Sequence, residues 1–123
     1  MDKKKINIVT LGCSKNLVDS ERLYKQLEAN GYSVVHDSND TSAKVVVINT
    51  CGFIGDAKEE SIDTILSFAH AKEKGKIRHL FVMGCLSERY KKDLQLEIPE
   101  VDEFFGVNNL EDIIKAIGGD LKT

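Results

Sequence analysis

The sequence has few of the residues that break or stiffen a chain, since its 123 residues include one proline and nine glycines. Charge of one sign does not dominate, because 17 lysines and arginines stand against 20 aspartates and glutamates. With 41% hydrophobic residues, this composition excludes collagen-like and intrinsically disordered chains. The balanced charge leaves no overall basic footprint for nucleic acid or for an anionic membrane. We therefore expect a single folded domain.

Long hydrophobic runs are also lacking. Apolar runs such as residues 45–48 are far shorter than the roughly 20 residues that cross a bilayer. The amino terminus is basic but continues into a strand-like segment, without a long apolar region or a small-residue cleavage site. These features predict a cytoplasmic protein with no contact to a membrane.

Cysteine is scarce and occurs at Cys13, Cys51 and Cys85. An odd number of widely separated cysteines cannot form a closed disulfide framework, and it is typical of a reducing compartment. We therefore expect the three thiols either to be free or to hold a bound group.

Strand-like and helix-like segments alternate along the chain. Strands are predicted over residues 5–10, 32–36, 44–49, 79–83 and 103–107. Helices are predicted over residues 17–30, 56–74, 87–98 and 110–117, and Gly31 and Gly75 are expected to end the first two. In the first helix Asn16 is the predicted N-cap. In the second, the helical spacing predicts an apolar face toward the sheet, made of Ile62, Ile65, Leu66 and Ala69.

This alternation with short connections predicts an α/β fold with a three-layer, doubly wound and mostly parallel sheet of about five strands. The expected strand order is 2-1-3-4-5, as in flavodoxin-like folds. The third strand is an unbroken β-branched run, which indicates a strand covered on both faces.

Each cysteine follows a predicted strand, namely the first, the third and the fourth, and precedes the next helix. These three strands are neighbours in the predicted order, and such sheets bind ligands outside the carboxyl ends of their strands. A glycine also stands beside each cysteine, which lets the backbone approach a ligand closely. The sequence therefore predicts that the three thiols converge at one edge of the sheet.

Other chemistry fits these cysteines less well. A cysteine phosphatase needs an arginine six positions after its nucleophile, where this chain has Asp19, Ala57 and Lys91. Neither a P-loop nor a Gly-x-Gly-x-x-Gly motif follows the first strand.

A closed zinc site would need a fourth protein ligand, and none of His36, His70 and His79 lies in the cysteine loops. A zinc ion with water as its fourth ligand is an open alternative. So is a flavodoxin-like ligand-binding or interaction domain with structural cysteines.

Three thiolates without a fourth suit a 4Fe-4S cluster with one open iron, because such clusters are otherwise held by four cysteines. Asn16 and Asn49 either cap helices or hydrogen-bond to such a cluster. At this point the spacing alone supports the cluster only as a hypothesis.

Three segments of the sequence resemble the cysteine motifs of the N-terminal domain of the methylthiotransferase family. They are residues 11–21 (LGCSKNLVDSE), residues 49–54 with 57–62 (NTCGFI and AKEESI), and residues 84–90 (GCLSERY). The resemblance covers essentially the whole chain. The first motif reads Cys-Ser-Lys-Asn, which resembles the motif of the branch that modifies a small-subunit ribosomal protein. The tRNA-modifying branch, which is the alternative, usually has Gln-Met-Asn after this cysteine.

The resemblance implies that Cys13, Cys51 and Cys85 ligate an auxiliary 4Fe-4S cluster, whose open iron carries the sulfur of the methylthio group. The acceptor implied by the resemblance is the β-carbon of an aspartate in a small-subunit ribosomal protein. A second 4Fe-4S cluster and S-adenosylmethionine belong to a radical S-adenosylmethionine domain, which holds its cluster on Cys-x-x-x-Cys-x-x-Cys.

No such close cysteine triad is present in this sequence. We therefore expect residues 1–118 to be the cluster-binding domain, residues 119–123 to begin a linker to an absent radical domain, and this chain alone to be inactive.

Overall fold

The computed structural model describes residues 5–11, 14–36, 45–50, 55–84, 92–105 and 110–117. Strands and helices alternate within these residues. In chain order they are β1 (Lys5–Thr10), α1 (Ser14–Ala29), β2 (Ser33–His36), β3 (Val45–Thr50), α2 (Gly55–Glu73), β4 (His79–Gly84), α3 (described over residues 92–97), β5 (Glu103–Phe104) and α4 (Leu110–Ile117).

All five strands form one parallel sheet in the order β2-β1-β3-β4-β5. The predicted flavodoxin-like α/β fold and its strand order are therefore confirmed. Parallel strands need crossover connections, so every pairing in this sheet joins segments that are distant along the chain.

The sheet is covered on both faces by separate apolar clusters. Val46 and Ile48 of β3 face the cluster that includes Ile65 of α2. Val45 and Val47 face the opposite cluster, which includes Leu23 of α1. All six residues of β3 are buried, so the predicted two-sided burial of this strand is confirmed. β3 therefore lies at the centre of the core, between the two clusters. Fully burying each of its aliphatic side chains contributes about 1.5–3 kcal/mol to stability.

Glycines end the first two helices as predicted. Gly31 and Gly75 have φ angles of +87° and +80°, a region that other residues rarely adopt. After α1, the amide of Tyr32 donates to the carbonyl of Leu27 at 3.0 Å and that of Gly31 donates to Glu28 at 3.0 Å. The same pair of bonds follows α2, and this pattern is the Schellman motif. It turns the chain sharply toward the next strand.

Two details of the sequence-based helix predictions are wrong. Helix α1 begins at Ser14, so Asn16 lies inside the helix and cannot be its N-cap, which by definition precedes the first turn. On α2, Leu66 is exposed while Phe68 packs against the core. The buried face is centred between Ile65 and Ala69, and Leu66 and Phe68 flank it on opposite sides. The helix is rotated so that the Phe68 side contacts the core and the Leu66 side faces solvent.

The last strand is short, because β5 contains two residues where five were predicted, and residues 106 and 107 lie outside the described part. Asp102, just before β5, holds this end of the sheet. Its carboxylate accepts a hydrogen bond from the amide of Leu80 at 2.8 Å and pairs with the ammonium of Lys72 at 2.9 Å. We call Lys72, Leu80 and Asp102 the Asp102 cluster. It lies near the amino end of β4.

Within the described ranges, no helix combines the length and the apolar character that a membrane span needs.

Candidate functional site

The carboxyl ends of β1, β3 and β4 lie side by side. Thr10 of β1 is the register partner of Asn49 of β3, and Thr50 of β3 is the partner of Gly84 of β4. Just beyond β1, the amide of Leu11 donates to the carbonyl of Asn49 at 2.9 Å. We call these five residues the carboxyl edge.

The predicted ligands Cys13, Cys51 and Cys85 lie outside the described residues. In the chain, Cys51 directly follows Thr50 and Cys85 directly follows Gly84, while Cys13 comes two residues after Leu11. The structure thus brings together the three strand ends from which the cysteine segments leave. The prediction that these strands are neighbours is confirmed, and the placement of the sulfur atoms stays a prediction.

A network of uncharged polar side chains is buried beside the carboxyl edge. Asn49 and Thr50 are each 0% exposed, and Ser20 of α1 is 1% exposed. The amide nitrogen Nδ2 of Asn49 donates to Oγ of Ser20 at 3.1 Å. Oγ of Ser20 in turn shares a hydrogen bond of 2.7 Å with Oγ1 of Thr10. Because buried polar groups are costly unless paired, these bonds hold α1, β1 and β3 in one arrangement.

The ends of β3 and β4 are joined more closely still. Oγ1 of Thr50 donates to the carbonyl of Met83 at 2.7 Å. Gly84 has a φ of +103°, and a Cβ atom at this position would collide with the carbonyl oxygen of Thr50 and lie 2.9 Å from Oδ1 of Asn49. Only glycine fits there, so β4 ends in contact with β3 without an intervening side chain.

Of the three described histidines, His36 ends β2, the neighbour of β1, whereas the other two lie away from the carboxyl edge. His70, on α2, is exposed and lies 3.9 Å from Glu73, while His79 begins β4 and stacks on Phe81. Among the residues that the structure describes, no three His, Cys, Asp or Glu side chains form a group that could hold a metal ion.

Sequence reasoning did not single out Ser20, Thr10 or Thr50. A signal for Ser20 was present, because Ser20, Leu23 and Leu27 follow helical spacing and share the buried face of α1. A serine in that stripe indicates a buried hydroxyl that needs a partner. Asn49, for which the sequence predicts either a helix cap or a hydrogen bond to a cluster, lies in β3 and bonds to Ser20 instead of capping a helix.

The parallel sheet and the carboxyl edge lie within residues 5–106, which match the family described as "Uncharacterized protein family UPF0004". The chain belongs to this family and is an N-terminal domain of the methylthiotransferase type. Over 118 residues it is 62% identical to the ribosomal protein uS12 methylthiotransferase RimO of Phocaeicola vulgatus and 59% identical to that of Bacteroides thetaiotaomicron. It is 58% identical over 120 residues to the protein of the same name from Cytophaga hutchinsonii.

These matches cover 96% to 98% of this chain but only 27% to 28% of each relative. The chain therefore spans a little more than a quarter of the length of the curated relatives it matches. The predicted methylthiotransferase family is confirmed. The names of the relatives state that they act on ribosomal protein uS12, which is the substrate class of the predicted branch.

Proposed function

We propose that this chain is the part of a uS12 methylthiotransferase that binds an auxiliary 4Fe-4S cluster through Cys13, Cys51 and Cys85. The observation that supports this most is the register of β1, β3 and β4. Two of the three cysteines directly follow the paired residues Thr50 and Gly84, and the third follows the neighbouring strand.

The donor set and the spacing of the strands fit such a cluster. Cysteine thiolates are the usual ligands of iron–sulfur clusters. Neighbouring strands lie about 4.8 Å apart, so the ends of three consecutive strands span roughly 10 Å. Consecutive Cα atoms are about 3.8 Å apart, and one to three residues beyond each strand suffice to direct three sulfurs to one point.

The role proposed for the chain is to hold the cluster and to leave one of its irons accessible. Three cysteines would ligate three irons, so the fourth iron would have no protein ligand. When bound, the cluster supplies the sulfur that becomes the methylthio group. The described residues of the carboxyl edge carry no charged side chain. The contribution of the described residues is geometric, because the buried network fixes the strand ends from which the cysteine segments leave.

The whole enzyme would add the radical chemistry. A second 4Fe-4S cluster and S-adenosylmethionine would belong to a separate domain, because this chain lacks three closely spaced cysteines. The target would be ribosomal protein uS12, after which the relatives are named, with the β-carbon of an aspartate as the acceptor. By itself, this chain would bind the auxiliary cluster without cleaving S-adenosylmethionine.

The test is the content of iron and acid-labile sulfide after anaerobic reconstitution of the 123-residue chain. The native chain is expected to hold about four irons and four sulfides, and a Cys13, Cys51 and Cys85 triple alanine variant to hold none. One zinc without sulfide would support the alternative zinc site. No iron in the native chain, when a control cluster protein is reconstituted in parallel, would refute the proposal.

A second measurement addresses the activity of the full-length enzyme that carries this domain. The triple alanine variant should still cleave S-adenosylmethionine but should no longer add a methylthio group to uS12, as followed by mass spectrometry. An unchanged yield of modified uS12 would contradict a role of these cysteines in the transfer.

A further inference from the structure

The side chain and backbone of Asn49 contact the start of each cysteine segment. Its carbonyl accepts a hydrogen bond from the amide of Leu11, two residues before Cys13. Its Oδ1 lies against Gly84, which directly precedes Cys85. Asn49 itself stands two residues before Cys51.

Asn49 also secures the other side of the first cysteine segment. Helix α1 begins at Ser14, immediately after Cys13. Ser20 of this helix accepts the hydrogen bond from Nδ2 of Asn49 and is bonded to Thr10. The segment that contains Cys13 is thus attached to Asn49 both before it, through Leu11, and after it, through Ser20.

An asparagine at this position is not explained by the needs of the strand. Asparagine is depleted in β-strands, and a buried amide is costly unless its donors and acceptors are paired. The four residues before it in β3 are valines and an isoleucine, which continue the apolar core. The amide therefore replaces apolar burial with directional bonds at the point where the cysteine segments leave.

We propose that Asn49 is a positioning residue that sets the spacing of the three cysteine sulfurs, with Ser20 as the anchor that links it to α1. This inference rests on the proposed function, because the spacing matters only if the three thiols act together. Residues that orient the ligands of a metal site change metal affinity by about 10- to 100-fold when they are removed.

Asn7 provides a matched control. It is also a buried asparagine, 1% exposed, and it lies on β1 next to β3. Its register partner on β3 is Val46, three positions before Asn49 and away from the carboxyl edge. Asn7→Ala therefore removes an equivalent buried amide from a strand position away from the carboxyl edge.

The experiment measures the affinity of the metal-free chain for arsenite, which depends on how close the three cysteine thiols are to one another. Arsenite binds three converging thiolates at once, so its affinity reports their spacing without iron. We would titrate arsenite into the native chain and into Asn49→Ala, Ser20→Ala and Asn7→Ala, at a temperature where circular dichroism shows each to be folded. Retention of reconstituted iron against a chelator would be compared in the same four proteins.

Asn49→Ala and Ser20→Ala should each weaken arsenite binding and iron retention by about 10- to 100-fold, while Asn7→Ala stays near the native values. If Asn49→Ala does not fold, Ser20→Ala decides the outcome. Equal losses in Asn49→Ala and Asn7→Ala, native affinity in Ser20→Ala, or no arsenite binding by the native chain would each overturn the inference.

The two proposals fail separately. Iron bound by the native chain and retained equally by all variants would refute the positioning role and leave the proposed function intact. A native chain that binds arsenite but no iron, with weaker arsenite binding in Asn49→Ala and Ser20→Ala, would support the positioning role and refute cluster binding.

Discussion

The carboxyl edge and the Asp102 cluster hold the same sheet together by different means. At the carboxyl edge, the uncharged side chains of Asn49 and Thr50 are fully buried, and Asn49 of β3 bonds to Ser20 of α1. In the Asp102 cluster, the side chains of Lys72 and Asp102 form an ion pair and are 22% and 33% exposed. The first depends on burial and direction of hydrogen bonds, whereas the second keeps its charges partly in contact with water.

This difference follows from the cost of burying charge. An ion pair loses most of its advantage when it is fully desolvated, whereas paired amides and hydroxyls can be buried at lower cost. A neutral network also adds no fixed charge next to the cysteine segments. We infer that the carboxyl edge is built to fix geometry and that the Asp102 cluster fastens a short edge strand.

The largest effect is expected from Gly84→Ala. The positive φ alone costs about 1–3 kcal/mol for a residue with a side chain, and the collision with Thr50 adds to this. Gly31→Ala is the control, because Gly31 has a similar φ but no atom within 4 Å of the added Cβ. Urea unfolding of the metal-free chain should show the greater loss for Gly84→Ala. Equal losses would mean that close contact at the carboxyl edge is unimportant.

An intermediate effect is expected from Thr50→Val, which removes the hydroxyl that donates to the carbonyl of Met83. Both groups are buried, so the loss of this hydrogen bond should lower the free energy of unfolding by about 0.5–1.5 kcal/mol. The loss should be the same at low and high salt, because no charge is involved. Native stability in this variant would show that the ends of β3 and β4 are held by other contacts.

The smallest effect is expected from Lys72→Met, which keeps most of the apolar stem of the side chain and removes its charge. Partly exposed ion pairs contribute up to about 1 kcal/mol, and the Debye length falls from about 10 Å at 0.1 M salt to about 3 Å at 1 M. The difference from the native chain in urea unfolding should therefore shrink at 1 M sodium chloride. A loss of stability that does not change with salt would mean that uncharged contacts, and not the ion pair, stabilise the Asp102 cluster, as they do at the carboxyl edge.

Most of the fold could be predicted because its signals are local. The β-branched run of β3 indicated a strand buried on both faces, and Gly31 and Gly75 marked helix ends that the structure closes with Schellman motifs. The strand order was expected from the likeness of this alternation to flavodoxin-like folds. The adjacency of the three strand ends was therefore predictable before any coordinates.

The errors and omissions concern contacts between distant segments. The bond between Ser20 and Asn49 joins residues 29 positions apart, and no local pattern pairs them. The exposure of Leu66 depends on how α2 is rotated against the sheet, and a periodic pattern fits both Leu66 and Phe68. Sequence alone thus predicted which strands carry the cysteines but not which buried side chains hold those strands in place.

The strand order also determines how the sheet can grow during synthesis. In this order β3, β4 and β5 can each be added to the same open side of the β1–β2 pair in the sequence in which they leave the ribosome. Each new strand finds a complete neighbour, so no earlier pairing has to open. The third strand end of the carboxyl edge is in place once β4 has docked, and β5 then covers the growing side of the sheet.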